Sequence, residues 1–117
     1  MDRLSLGKIG EKYARHYLWW RGYKILTANY RKRFGEVDLI CKKGRTVVFV
    51  EVKTRRGLAA GWPEEAVTPE KLEKIMAAGL SYLAESRRRS DWRIDVLSIL
   101  VNDQNQPIEI KHFKDVN

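Results

Sequence analysis

Two carboxylates and an amine recur at short spacing in this chain. They lie in Gly35-Glu36-Val37-Asp38 and in Glu51-Val52-Lys53. Hard oxygen ligands of this kind suit Mg²⁺ or Mn²⁺, ions that keep some waters and bind phosphate oxygens. Such an ion polarises a phosphoryl group and acidifies a bound water. A lysine beside it can orient that water, deprotonate it as the neutral amine, or as the ammonium offset the charge that develops. The chemistry these residue types could do together is phosphodiester hydrolysis.

That chemistry requires the three groups to converge, and the intervening sequence says how. Glu36 to Cys41 reads as one strand and Thr46 to Thr54 as the next. Lys42-Lys43-Gly44-Arg45 between them is a turn signal, so the two strands should form a hairpin. With the turn centred on Lys43 and Gly44, Asp38 falls opposite Phe49. Phe49 shares its face with Glu51 and Lys53, because side chains alternate along a strand. Asp38 and Glu51 then become diagonal neighbours, with Cβ atoms roughly 7 Å apart. A loop with an odd residue count would reverse the parity and separate them. Glu36 should fall on the opposite face from Asp38 and act structurally.

The elements around the hairpin follow from periodicity. Residues 5–21 read as an amphipathic helix, with Leu6, Ile9, Tyr13, Ala14, Tyr17 and Leu18 on one face, Ser5 as cap and Gly22 as the left-handed stop. Glu11 flanks that stripe and can face the sheet as a fourth oxygen ligand. Tyr23 to Tyr30 reads as the first strand and Arg31 to Phe34 as a basic connection. The third strand is nearly all apolar from Val47 to Val52, which places it centrally with both faces covered. Arg55 to Pro63 is a loop. Thr68-Pro69 opens a second helix with a buried stripe of Leu72, Ile75, Met76, Gly79, Tyr82 and Leu83. Arg93–Val101 and Ile108–Phe113 are two further strands. The order α-β-β-β-α-β-β implies one α/β domain over residues 1–117, a mixed five-stranded sheet flanked by helices.

Bulk properties narrow the partner. The 117 residues carry a net charge of +8, unevenly distributed. Residues 1–60 hold 15 basic and 5 acidic side chains, whereas residues 61–117 hold 8 and 10. A one-sided positive field attracts polyanions, so nucleic acid is the expected partner. Three of the five acids in the basic half are Glu11, Asp38 and Glu51. Cys41 is the single cysteine, which excludes an internal disulfide and a cysteine-rich zinc site. No apolar run approaches a membrane span, and the opening residues lack a signal-peptide core, so a cytoplasmic location without membrane attachment is expected.

Further residues could serve nucleic acid. Lys71, in the first turn of the second helix, could hold a phosphate there. Arg31, Lys32, Arg33, Arg55 and Arg56 flank the two acidic strands and could track a phosphate backbone. Trp19-Trp20, Tyr30 and Trp62 could stack on bases, but Trp20 and Tyr30 are expected in the core, which leaves Trp62, in a loop, as the ring to test. Asp95 lies mid-strand and should be a structural hydrogen-bond partner.

Gly7-Lys8-Ile9-Gly10-Glu11, Gly22-Tyr23, Asn29-Tyr30-Arg31, Gly35 to Ile40 and Phe49 to Arg55 together resemble the YraN-like family of bacterial predicted endonucleases. Lys71 and Arg93-Ile94-Asp95-Val96 fit the same pattern, so the resemblance spans nearly the whole chain. That family is similar to archaeal Holliday-junction resolvases and to the PD-(D/E)xK nuclease superfamily; here Val37 replaces the proline of that signature. The resemblance implies a restriction-endonuclease-like fold. It assigns Asp38 and Glu51 as Mg²⁺ or Mn²⁺ ligands, Lys53 as the catalytic lysine and Glu11 as the helix-borne acid, with the Val52 carbonyl as a further ligand. The activity implied is endonucleolytic cleavage of DNA, including branched or damaged DNA, and analogy with the resolvases points to a homodimer. Two other readings stay open: a non-catalytic nucleic-acid-binding module that keeps the fold, and a protein–protein adaptor.

Overall fold

The computed structural model describes residues 3–117, with side chains from Leu6 onward. Helix α1 (Arg3–Trp20) leads into strands β1 (Lys24–Lys32), β2 (Gly35–Lys43) and β3 (Thr46–Arg56). A short 3₁₀ turn (Pro63–Ala66) precedes helix α2 (Pro69–Glu85), and β4 (Asp91–Val101) and β5 (Pro107–Phe113) follow. The element order is the one expected, with several boundaries moved outward. Arg31 and Lys32 extend β1, leaving Arg33 and Phe34 to make the turn, and Arg55 and Arg56 extend β3. The cap expected of Ser5 lies outside the described side chains.

The sheet order is β1-β2-β3-β4-β5. β3 and β4 run parallel, and every other pair is antiparallel. Because parallel neighbours need a crossover, α2 must cover one face of the sheet between them. Ile75, Ala78 and Leu83 of α2 pack there on Val37, Ile40, Val47, Phe49 and Ile94. Ala14 and Leu18 of α1 pack on the other face with Leu39, Cys41, Val48, Val50, Leu97 and Ile99. β3 is thereby central and covered twice, as its apolar run requires.

Local chemistry fixes the ends. Thr68 Oγ1 accepts a hydrogen bond from the Lys71 amide at 3.2 Å, and Pro69 occupies the first helical position. The β2–β3 turn is the two residues Gly44 and Arg45, with Gly44 at φ +60°. This turn lies one residue later than expected, so Ile40 rather than Asp38 faces Phe49. The shift preserves parity and moves the register by two.

Gly10 sets the distance between α1 and the sheet. A Cβ there would sit 1.7 Å from Thr54 Oγ1 and 2.8 Å from Thr54 Cβ. Only glycine lets the helix lie against β3, and the next residue, Glu11, is thereby carried to the edge of the acidic strands.

Candidate metal centre and nucleic-acid interface

Leu39↔Val50 is the last observed pair, and one further step of that register sets Asp38 level with Glu51, whose carboxyl it neighbours. The diagonal expected from sequence is a direct facing. The ladder stops there because the Asp38 side chain takes over its bonding: Oδ2 accepts the Val52 amide at 2.8 Å. On the other side, β1 and β2 both lose strict alternation at this level. Ala28 and Leu39 pack toward α1, whereas Tyr30 and Val37, two residues away in each strand, pack toward α2. Asn29, between Ala28 and Tyr30, has φ +53°, a costly conformation that asparagine tolerates better than most residues. The paired break turns Asp38 into a cleft of about 320 Å³ lined by Gly7, Lys8, Glu11, Asn29, Arg31, Asp38 and Val52.

Glu51 is almost fully buried, at 4% exposure. Its Oε2 pairs with Lys71 Nζ at 3.2 Å, and its Oε1 is buried without a hydrogen-bond partner. Burial, then the neighbouring Asp38, push the Glu51 carboxyl up to about 8, against the opposing pull of Lys71. Burial also raises Asp38 above the usual carboxylate range, while the Val52 amide and Glu51 oppose the rise. Burial works against the Lys71 ammonium, yet Glu51 holds its pKa above the ordinary value. Two facing carboxyls with one orphaned oxygen form a desolvated acidic site, which demands a proton or a cation.

The remaining expected residues divide. Lys53 follows Glu51 by two in β3, is half-buried and makes no ion pair with any described residue. Glu11 lines the same cleft as Asp38, but its Oε1 is held by Arg15 at 3.2 Å and Asn29 Nδ2 at 3.3 Å. Among the described residues no three His, Cys, Asp or Glu side chains gather closely enough to hold a metal. The described donor set is thus the Asp38–Glu51 pair, with Glu11 standing apart in the cleft wall.

The expected nucleic-acid contacts are mostly engaged already. Lys71 holds Glu51, Arg31 pairs with Glu36 at 3.4 Å, and Lys32 pairs with Glu85 at 3.0 Å. Arg55 hydrogen-bonds the Ala60 and Gly61 carbonyls, Arg56 bonds Asn105, and Arg33 borders a shallow surface pocket with Lys32 and Phe34. Glu36 is exposed and pairs with Arg31. Asp95 is structural: buried, it accepts from Arg93 at 3.0 Å, the Asp115 amide at 3.0 Å and His112 at 2.8 Å.

Sequence reasoning erred on one ring and, besides the Lys71–Glu51 pair, missed two features. Trp20 is 76% exposed rather than core, because no described element packs over the end of α1. Tyr30 does pack against the α2 cluster. The contact of Asn29 with Glu11 carries no sequence signal beyond an asparagine within a strand. The second missed feature is a polar cluster beside Lys53. In the parallel register Lys53 lies level with Ser98, whose hydroxyl donates to Glu64 at 2.6 Å. Lys111 also holds Glu64 at 3.2 Å and covers the Trp62 ring at 3.5 Å, so one face of the ring proposed for stacking is already occupied.

The sequence profile of Uncharacterised protein family UPF0102 matches residues 10–99. A UPF0102 protein of Chlorobium limicola is 45% identical over 119 residues, covering 97% of this chain and 92% of the relative. The chain belongs to the UPF0102 family. One from Syntrophomonas wolfei is 48% identical over 105 residues (89% of this chain, 91% of the relative), and one from Rhodococcus opacus is 47% identical over 113 (96% and 95%). The matched span of this UPF0102 chain runs from Gly10 to Ile99 and so includes Asp38, Glu51 and Lys53.

Proposed function

We propose that this UPF0102 protein is a divalent-metal-dependent endonuclease of restriction-endonuclease-like fold that hydrolyses phosphodiester bonds in DNA, with branched or damaged DNA as the substrate class. The observation that carries the reading is the pairing of half-buried Asp38 with buried Glu51, whose Oε1 is left without a partner. Such a pair is costly unless a cation joins it. The donor set fits a hard cation, because both groups are carboxylates and one oxygen is uncommitted. Asp38 and Glu51 would hold the ion, with the Val52 carbonyl as a further donor and Glu11 acting from the cleft wall.

Mg²⁺ or Mn²⁺, when bound, would supply Lewis acidity toward the phosphoryl oxygen and an acidified water. The chain's own groups do the rest. The Val52 amide orients Asp38. Lys71 offsets part of the Glu51 charge until the substrate arrives. Lys53, free of any described ion pair, orients the attacking water or stabilises charge on the phosphate. Lys8 and Arg31, which line the cleft, draw the phosphate backbone toward the acids.

One observation favours the second reading, a non-catalytic nucleic-acid-binding module: Lys71 already pairs with Glu51. The deciding experiment is a Mg²⁺ and Mn²⁺ titration of cleavage on single-stranded, duplex, flapped and four-way DNA, with RNA counterparts. The enzyme reading expects metal-dependent cleavage that E51A and K53A abolish while binding persists. Binding without metal-dependent cleavage would leave the module, and absence of binding would remove both readings.

A further inference from the structure

Several cations at the acidic-pair end of the sheet are neutralised, Lys8 and Lys53 excepted, whereas a group of six at the far end is not. Arg31, Lys32, Lys71 and Lys74 each have a carboxylate within 3.6 Å. The β2–β3 turn lies at the other pole. There Arg21, Lys24, Lys42, Lys43, Arg45 and Arg89 are all exposed, and none pairs with a carboxylate of any described residue. Their proximity is fixed by the fold. Lys43 Nζ donates to the Arg21 carbonyl, Lys24 faces Lys42 across β1 and β2, and Arg45 and Arg89 line one shallow surface pocket with Ser90 and Asp91.

The same pole carries the largest exposed aromatic surface. Trp19 and Trp20 are 66% and 76% exposed, with ring centroids 5.2 Å apart at 83°. They precede Arg21 directly. No other large apolar residue among the described side chains of α1 is exposed, so the described rings lack the aliphatic surroundings by which an interfacial helix buries itself in lipid. Aromatic rings among unpaired cations match an unpaired nucleic-acid strand, where bases stack on rings and phosphates meet cations. In a duplex the bases are stacked on one another and could not reach them.

We infer that the Trp19–Trp20 pair and the unpaired cations around the β2–β3 turn form a second contact surface for a single-stranded segment of nucleic acid, distinct from the acidic cleft. The inference rests on the nucleic-acid reading of the protein and adds to it a strand-binding site and a preference for substrates with an unpaired arm. Trp20 lies about 14 Å further along α1 than Glu11, a distance that a strand of a few nucleotides spans. The exposed Lys12 sits between them on the helix.

The test is anisotropy titration of a fluorescent oligothymidylate with the full chain in EDTA, so that cleavage does not intervene. W19A/W20A should weaken binding at least tenfold, and W19F/W20F, which keeps the rings, should restore most of it. R45A/R89A should make the log–log salt dependence shallower by about 1.4, the value for two released phosphate contacts on a single strand. Unchanged affinity and salt slope in both sets would overturn the inference. So would W19A/W20A losing adhesion to anionic phospholipid vesicles while keeping the oligonucleotide, which would assign the surface to lipid. If W19A/W20A binds and cleaves like wild type while E51A does not cleave, only this inference falls. If strand binding depends on the tryptophans and no metal-dependent cleavage exists, only the nuclease reading falls.

Discussion

Replacing Glu51 by glutamine should stabilise the metal-free protein, because the native fold holds that carboxyl where it cannot readily ionise. Glu51 titrates near 4.5 when unperturbed and at about 8 in the fold, through burial first and Asp38 second. The folded state therefore binds a proton that the unfolded state has released, and stability declines as pH rises from about 4.5 to about 8. At pH 7 the ceiling on this cost is roughly 3 kcal/mol, from 1.36 kcal/mol for each unit between 4.5 and 7. E51Q also loses the Lys71 ion pair, which offsets part of the gain, so about 2 kcal/mol is expected for E51Q at neutral pH. For a domain of this size that raises Tm by roughly 6–12 °C. The assay is thermal unfolding of wild type and E51Q from pH 4.5 to 9 in EDTA, repeated with Mg²⁺. In EDTA the E51Q advantage should grow with pH and level off above 8. With Mg²⁺ at ten times its Kd, wild type should gain about 1.4 kcal/mol and E51Q almost nothing. An E51Q protein no more stable than wild type at pH 8, or an equal gain from Mg²⁺ in both, would refute the reasoning.

Three further outcomes are expected. Gly10→Ala should cost about 1–3 kcal/mol in denaturant unfolding, because the added Cβ meets Thr54 Oγ1 at 1.7 Å and the fixed Thr54 Cβ at 2.8 Å, so α1 must shift. D95N should lose about 3 kcal/mol at pH 7, since it breaks a buried carboxylate bound to Arg93 and His112. Burial alone would raise Asp95, but those partners hold its carboxyl below the usual 3.8, so the difference from wild type should shrink only as pH falls below that value. Asn29→Gly accepts the φ of +53° without strain yet releases Glu11. Its stability should change by less than about 1 kcal/mol while cleavage falls, read as a lower kcat at unchanged Tm.

Much of this arrangement was legible in the residues, and the reasons differ by element. The apolar run of β3 and the Thr68-Pro69 signature are local, and both signals survive any tertiary context. The convergence of Asp38 and Glu51, though expected on the diagonal rather than face to face, was legible for a weaker reason. It depends only on the parity of the hairpin, and a turn displaced by one residue to Gly44-Arg45 leaves parity intact. The Lys71–Glu51 pair was not legible, because only the crossover of α2 over β3 brings the first turn of that helix beside the strand end. The same holds for Lys111 over Trp62, which joins β5 to a loop far away in sequence. Trp20 misled because an apolar residue on a helix is buried only if something covers it, and among the described residues nothing packs beyond the end of α1. The break in alternation at Asn29 and Asp38 depends on two strands distorting together, a cooperative feature with no single-residue signature.

The central claim is that Asp38 and Glu51 share one divalent cation. Its most direct measurement is anomalous diffraction from a crystal of the protein soaked in Mn²⁺. The account predicts one strong peak between the Asp38 and Glu51 carboxylates, within about 2.3 Å of an oxygen from each, absent from E51Q crystals soaked alike. A Mn²⁺ peak lodged elsewhere, or none between the two carboxylates at millimolar excess, would contradict it.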